Sequence, residues 1–216
     1  MSDAVPRLSI HGLTLSRGPR QLFAGLNWSL DAGEAMVLRG SNGSGKTTLL
    51  RVLAGLSSAD SGEVRWQGAR WKPLDAGQRQ SCLYIGHINA LKEELSASEN
   101  LLDQLSFDGG THDETARQAA LERVGLGSRA HLLARRLSQG QKRRVGLARL
   151  ALSRKPLWLL DEPTNALDDE GVSLFTSLVE EHLSRGGIAC IATHLALPMT
   201  RRIHELRLGE PMGAAA

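Results

Sequence analysis

The densest chemistry in the sequence lies in the run Gly40-Ser41-Asn42-Gly43-Ser44-Gly45-Lys46-Thr47-Thr48, which satisfies the pattern G-x-x-x-x-G-K-[ST]. Glycines let the main chain curl tightly, so successive N–H groups can converge on phosphate oxygens. A helix opening directly after them adds the positive end of its dipole. Lys46 then offers a mobile cation to the β- and γ-phosphates of a nucleoside triphosphate, and Thr47 a hydroxyl ligand for Mg2+. A second constellation closes the apolar run Leu157-Trp158-Leu159-Leu160 with Asp161 and Glu162. Asp161 is suited to hold Mg2+, directly or through water, and Glu162 to polarise an attacking water as a general base. Apolar runs ending in Asp-Glu are common strand ends, and it is the phosphate loop upstream that gives this one a chemical reading. The third constellation is Leu137-Ser138-Gln139-Gly140-Gln141, in which Ser138 suits the N-cap of a helix running from Lys142 to Ser153.

Such residues act only if a frame brings them together. Ala35 to Leu38 is a short apolar run of the kind buried on both faces of a sheet, and it leads straight into the phosphate loop. Leu49, Leu50, Val52 and Leu53 give the face of a helix that ends at Gly55. Leu157 to Leu160 and Ile188 to Ala192 are further core strands. Between them Val172, Phe175, Leu178, Val179, His182 and Leu183 recur at helical spacing, until Gly186-Gly187 stops the helix. Strands alternating with helices predict an α/β fold with a mainly parallel sheet. Leu8 to Leu15 alternates loosely as a half-buried strand does, Leu26 to Leu30 reads as a second strand, and Gly62 to Gly68 as a hairpin arm. From His87 to Arg136 the strand signals vanish and Thr115 to Val124 reads as an amphipathic helix, which marks an inserted helical subdomain.

Composition bounds the rest. The 216 residues suffice for a large core, and 41% hydrophobic with 23% charged residues is ordinary for a globular protein. Lys and Arg number 26 against 23 Asp and Glu. That mildly basic balance does not by itself call for nucleic acid, and an anionic nucleotide or membrane surface explains it equally well. Cys82 and Cys190 lie far apart in apolar runs, as buried free thiols of a reducing compartment do, and form no CxxC pair. The N-terminus MSDAVPRLSIHG shows no secretory signal, and no stretch approaches the roughly 20 apolar residues of a membrane helix. A membrane role must therefore come through a partner.

Taken in order, these pieces resemble the ABC-type ATPases over nearly the whole chain, from Leu8 to Leu208. Leu-Ser-x-Gly-Gln matches that family's signature, with Gln139 in place of the commoner glycine. The resemblance implies that Ser138, Gln139, Gly140 and Gln141 of one subunit close over ATP bound by another, so that the protein works as a homodimer sandwiching the nucleotide. It implies a P-loop NTPase, RecA-like sheet carrying an N-terminal antiparallel β-subdomain and the inserted helical subdomain. The whole is one domain over 1–216, with core and β-subdomain in 1–86 and 154–216 and helices in 87–153. Asn165-Ala166-Leu167-Asp168 resembles the D-loop that crosses between subunits, and His194 the switch histidine at the γ-phosphate. Two departures stand out. Arg17 occupies the place of the aromatic residue that stacks on adenine, where a guanidinium can also stack. His87 stands where the family has its Q-loop glutamine, and as a neutral imidazole it can ligate metal or hold water.

Within the family the runs Arg20–Leu26, Gly40–Gly43, Gly62–Gly68 and Tyr84-Ile85-Gly86-His87 are similar to the cytochrome c maturation ATPases, the ATP-binding subunits of bacterial haem exporters. This implies a peripheral subunit on the cytoplasmic face of the inner membrane, using ATP and Mg2+ and bound to transmembrane permease subunits. No Cys-x-x-Cys-His occurs, so haem is expected to touch the partners and not this chain, and no nucleic-acid partner is expected. Leu91 and Leu95, around Lys92-Glu93-Glu94, suit a docking surface or a short helix packed inward. The ATPase of a different ABC transporter and a soluble ABC-type assembly ATPase remain as alternatives. Repair types need a far longer insertion between phosphate loop and signature, and translation-associated types need two tandem domains.

Overall fold

The run Leu157–Leu160 is apolar at every position because the strand it forms is covered on both faces. In the computed structural model, which describes residues 7–72, 76–87, 89–108 and 113–209, β7 (Leu157–Asp161) is buried throughout. Leu157 and Leu159 face one core cluster, and Trp158 and Leu160 the other. β3 (Ala35–Arg39) and β8 (Ile188–Ala192) divide their side chains in the same way. With β6 (Cys82–Ile85) and β9 (Ile203–Arg207) they make a five-stranded sheet of order β6-β7-β8-β3-β9, and every pairing in it is parallel. Residues 1–6, the first half of the N-terminal stretch, and residues 210–216 lie outside the described residues.

A second, antiparallel sheet precedes it: β1 (Leu8–Arg17), β2 (Arg20–Leu30), β4 (Ser61–Trp66) and β5 (Ala69–Arg70), in the order β2-β1-β4-β5. Its inner face, with Leu8, Ile10, Leu13 and Leu26, packs with α1 (Lys46–Leu53) into one core cluster. The other cluster lies on the opposite face of the parallel sheet. There α3 (Ala97–Phe107), α4 (Glu114–Arg123), α5 (Gln139–Leu152) and α6 (Asp169–Ser184) contribute Leu101, Leu121, Val145 and Phe175. A short α2 (Ala76–Ser81) leads into β6. Each such fully buried side chain stabilises the fold by about 2 kcal/mol.

The architecture is the α/β arrangement that the sequence implies, with local differences. β2 begins at Arg20, well before Leu26, because its first half pairs with the end of β1 through register shifts that break the alternation. Among the described residues no strand lies between β6 and β7, only a single bridge from Ser96 to Leu133. Helix α3 carries no mark in the periodicity reading, although Ser96 and Glu99 form a reciprocal capping box at its start. Leu91 and Leu95 are half-buried, and Leu91 packs against the helical core, so these leucines are not an exposed docking surface. Both cysteines are buried and free.

Candidate functional site

In an open parallel sheet, loops at the carboxyl ends of the strands form the crevice that receives a ligand. Here β3, β6, β7 and β8 deliver, in turn, the phosphate loop, His87, Asp161-Glu162 and His194. All of these line one cleft of about 790 Å3, together with Ser16, Arg17 and Asn165. The loop's shape explains its glycines. At Gly40 the backbone has φ 137°, and a Cβ would lie 2.3 Å from the carbonyl oxygen of Leu208. Gly45 precedes α1 with φ 105°, so the helix starts without a side-chain cap and its first N–H groups are left to whatever enters the cleft.

Lys46 is buried, and its ammonium donates to the Gly40 carbonyl at 2.7 Å. It also lies 3.2 Å from Nε2 of His194. Nε2 is in turn 3.4 Å from Oε1 of Glu162. Unprotonated there, the imidazole accepts from Lys46; protonated, it donates to Glu162. The Thr47 hydroxyl donates to Oδ2 of Asp161 at 2.8 Å. These two oxygens are the hard donors that Mg2+ takes beside substrate phosphates, so the set fits that ion. Glu162 sits just past β7 with φ 49°, an uncommon left-handed conformation for a residue with a side chain. Its N–H donates to the Ala192 carbonyl at 2.8 Å. His87 and Arg17 are exposed on the cleft rim.

Ser138, Gln139, Gly140 and Gln141 do not join this cleft. They form the first turn of α5 and its cap. The Ser138 hydroxyl accepts from the Gln141 N–H at 3.2 Å, while the Gln141 side chain accepts from the Ser138 N–H at 3.0 Å. Ser138, Gly140 and Gln141 line a separate cleft of about 490 Å3 with Arg129, Arg144, Ala166 and Asp168. Gly140 packs so closely on the Asn165–Asp168 loop that a Cβ would lie 2.8 Å from the Ala166 carbonyl oxygen. Asp168 caps α6 through the Gly171 N–H at 2.9 Å and pairs with Arg144 at 2.8 Å. The Gly171 N–H first, and then Arg144, hold its carboxyl below the usual range.

Sequence reasoning passed over two residues that support the cleft. Arg39, at the end of β3, donates at 2.7 Å to the carbonyls of both Thr193 and Leu195, which flank His194. Arg143, on the buried side of α5, donates to the Glu162 carbonyl, to Asn89 Oδ1 at 3.0 Å and to the Gly86 carbonyl at 3.4 Å. A charge closing a buried strand was the available signal for Arg39. Arg143, inside Lys142-Arg143-Arg144, reads as part of a solvated run.

Residues 23–165 match the model of the ABC transporter family. The "Cytochrome c biogenesis ATP-binding export protein CcmA" of Dechloromonas aromatica is 45% identical over 203 residues, covering 94% of this chain and 100% of that protein. Its counterpart in Methylococcus capsulatus is 46% identical over 208 residues, covering 96% and 100%. Among solved structures, the chain is similar to a dimeric ATP-binding cassette in a post-hydrolysis state bound to ADP and phosphate. The identity is 25% and the TM-score 0.73, over 87% of this chain and 88% of that one.

Proposed function

Because the chain belongs to the ABC transporter family, within its cytochrome c biogenesis ATP-binding export proteins, we propose that it hydrolyses ATP to drive the haem exporter of c-type cytochrome biogenesis. The observation that carries the reading is the convergence of Lys46, Thr47, Asp161, Glu162 and His194 from separate strands on one cleft large enough for a nucleotide. The phosphate-loop amides and Lys46 bind the β- and γ-phosphates, and Arg17 offers a guanidinium face to the base. Thr47 and Asp161 would hold Mg2+, which would supply positive charge to the phosphates, and His87 is a further candidate ligand on the rim. Glu162 orients the attacking water and takes up its proton. His194 meets the γ-phosphate and, through Nε2, ties it to Glu162.

The second cleft gives the proposal its assembly. Ser138 to Gln141 offer a helix N-terminus suited to an anion, yet they line a cleft separate from the one that holds this chain's own phosphate loop. A homodimer in which each signature closes the partner's nucleotide uses both clefts, and the similar solved cassette is dimeric. No helix among the described residues is long and apolar enough to cross a membrane. We place the chain on the cytoplasmic face of the inner membrane, held by permease subunits, with the helices between β6 and β7 as the helical subdomain.

The test is Glu162→Gln, which keeps shape and removes basicity. ATP binding should persist, turnover should fall by about 100-fold or more, and an ATP-dependent dimer should accumulate on size exclusion. Near-wild-type hydrolysis would remove Glu162 from the catalytic role.

A further inference from the structure

We infer that Arg143 is a positioning residue that fixes the catalytic geometry of Glu162 and ties it to the loop carrying His87. The inference deepens the ATPase reading and rests on it. Arg143 is 4% exposed, and its guanidinium reaches three acceptors on two different segments. One is the main-chain carbonyl of Glu162, and the others are the Gly86 carbonyl and the Asn89 side chain, which bracket His87 in sequence. Burial draws its pKa below the ordinary arginine range, opposed by the nearby carboxylates of Asp161 and Glu162. A guanidinium still keeps its charge, so the site holds a permanent, desolvated cation beneath both acids.

The geometry gives that cation a task. Glu162 holds a left-handed backbone at φ 49°, which a residue with a side chain adopts only when its surroundings enforce it. The enforcement comes from both sides of its peptide units. Its N–H is bound to the Ala192 carbonyl of β8, and its C=O accepts from Arg143 of α5 and, at 3.3 Å, from the Asn165 N–H. The Glu162 carboxylate direction, and with it the line to His194, follows from that backbone. Arg143 belongs to the helix whose first turn is Gln139-Gly140-Gln141, so a shift of this helix against the partner's nucleotide would move the Glu162 carbonyl and the His87 loop together. A planar fork can span acceptors on two segments, whereas a lysine ammonium is a single point.

The experiment uses the protein assembled with its membrane partner and compares Arg143→Gln, Arg143→Lys and Asn89→Ala with wild type. Arg143→Gln should lower kcat by about 10- to 100-fold, because small displacements of a catalytic group are costly, while KM for ATP stays within about threefold. Arg143→Lys, which restores charge and one donor, should fall between Arg143→Gln and wild type. Asn89→Ala should lower kcat modestly in the wild-type background and have little further effect beside Arg143→Gln, since the two groups act through one contact. Should Arg143→Gln fail to fold, Arg143→Lys and Asn89→Ala give the same kcat-against-KM split. Wild-type kcat in the Arg143 variants, or a kcat loss matched by an equal loss of nucleotide affinity, overturns the inference. Glu162→Gln in the same assay separates the two claims: if it still hydrolyses ATP the parent reading fails, and if it is inactive while Arg143→Gln is not, only the role of Arg143 falls.

Discussion

His182 belongs to the buried face of α6, among the apolar residues whose spacing marks the helix, yet it is a polar ring with a defined place. It stacks on Trp158 with centroids 3.9 Å apart and planes within 7°, and Nε2 donates to the Ile188 carbonyl at 3.0 Å. A Cβ at Gly187 would lie 2.2 Å from the ring, so this glycine is fixed by the histidine. The pair clamps α6 onto β7, the strand that delivers Asp161 and Glu162 to the cleft. Burial pushes the imidazole pKa down to about 4, opposed by the Ile188 and Pro156 carbonyls and reinforced by Arg185 and Arg7. The unfolded chain therefore binds the proton more readily. Stability contributed by the neutral ring is complete above about pH 6.5 and is lost as pH falls from there towards about 4, by about 2 kcal/mol at pH 5. Urea unfolding at pH 7 and pH 5 should show this extra loss in wild type and not in His182→Phe, which keeps an aromatic stack without a titrating nitrogen. Equal pH slopes for the two proteins would mean that the ring is charged, or exposed, in the fold.

Helix α5 shows how an element can be legible in outline and opaque in purpose. Its start was readable from Ser138 and Gln141, which form the reciprocal cap. Its cations were not, because Lys142, Arg143 and Arg144 leave the helix in different directions: to Glu93, to the Glu162 carbonyl, and to Asp168 with Glu170. Sequence spacing does not reveal which loops fold back onto a helix. β6 and β9 escaped notice for another reason: both lie at sheet edges, where part-buried and exposed positions leave no fully buried run. Strands β3, β7 and β8 were legible because burial on both faces leaves an unbroken apolar run. The proposed catalytic cluster was legible for a related reason, since its members lie at the end of such a strand or in the loop and helix that follow it. Two glycines within α5 separate packing from propensity. At Gly146 an added Cβ meets nothing within 4 Å, so Gly146→Ala should stabilise the protein by up to about 1 kcal/mol with activity unchanged. At Gly140 the Cβ would press on the Ala166 carbonyl, so Gly140→Ala should forfeit that gain and lower turnover about tenfold or more while ATP still binds. Thermal melts and ATPase rates on the two variants decide it; a fully active, stabilised Gly140→Ala protein would show that the contact between α5 and the Asn165–Asp168 loop carries no function.

At the scale of the whole molecule, the two clefts set the problem. One gathers the phosphate loop, the acids and His194, and the other the signature turn, Arg129 and Arg144; neither borrows the other's key residues. If a single chain were the working unit, a loss in each cleft would simply add. In the proposed sandwich, each nucleotide lies between the phosphate loop of one subunit and the signature of its partner, and this predicts complementation. Lys46→Ala removes the cation that reaches the phosphates, and Ser138→Arg blocks the turn that closes over the partner's nucleotide, so each homodimer should be inactive at both sites. Mixing the two proteins forms heterodimers in which one site joins the mutated phosphate loop to the mutated signature. The other site then joins an intact loop to an intact signature. Hydrolysis should therefore reappear in the mixture although both parents lack it, and it should vanish when both substitutions are placed on one chain and mixed with wild type under conditions that trap heterodimers. The readout is ATP turnover by purified, differently tagged pairs bound to the membrane partner. A mixture as inactive as its parents would mean that each chain completes its own site, and the second cleft would need a different occupant.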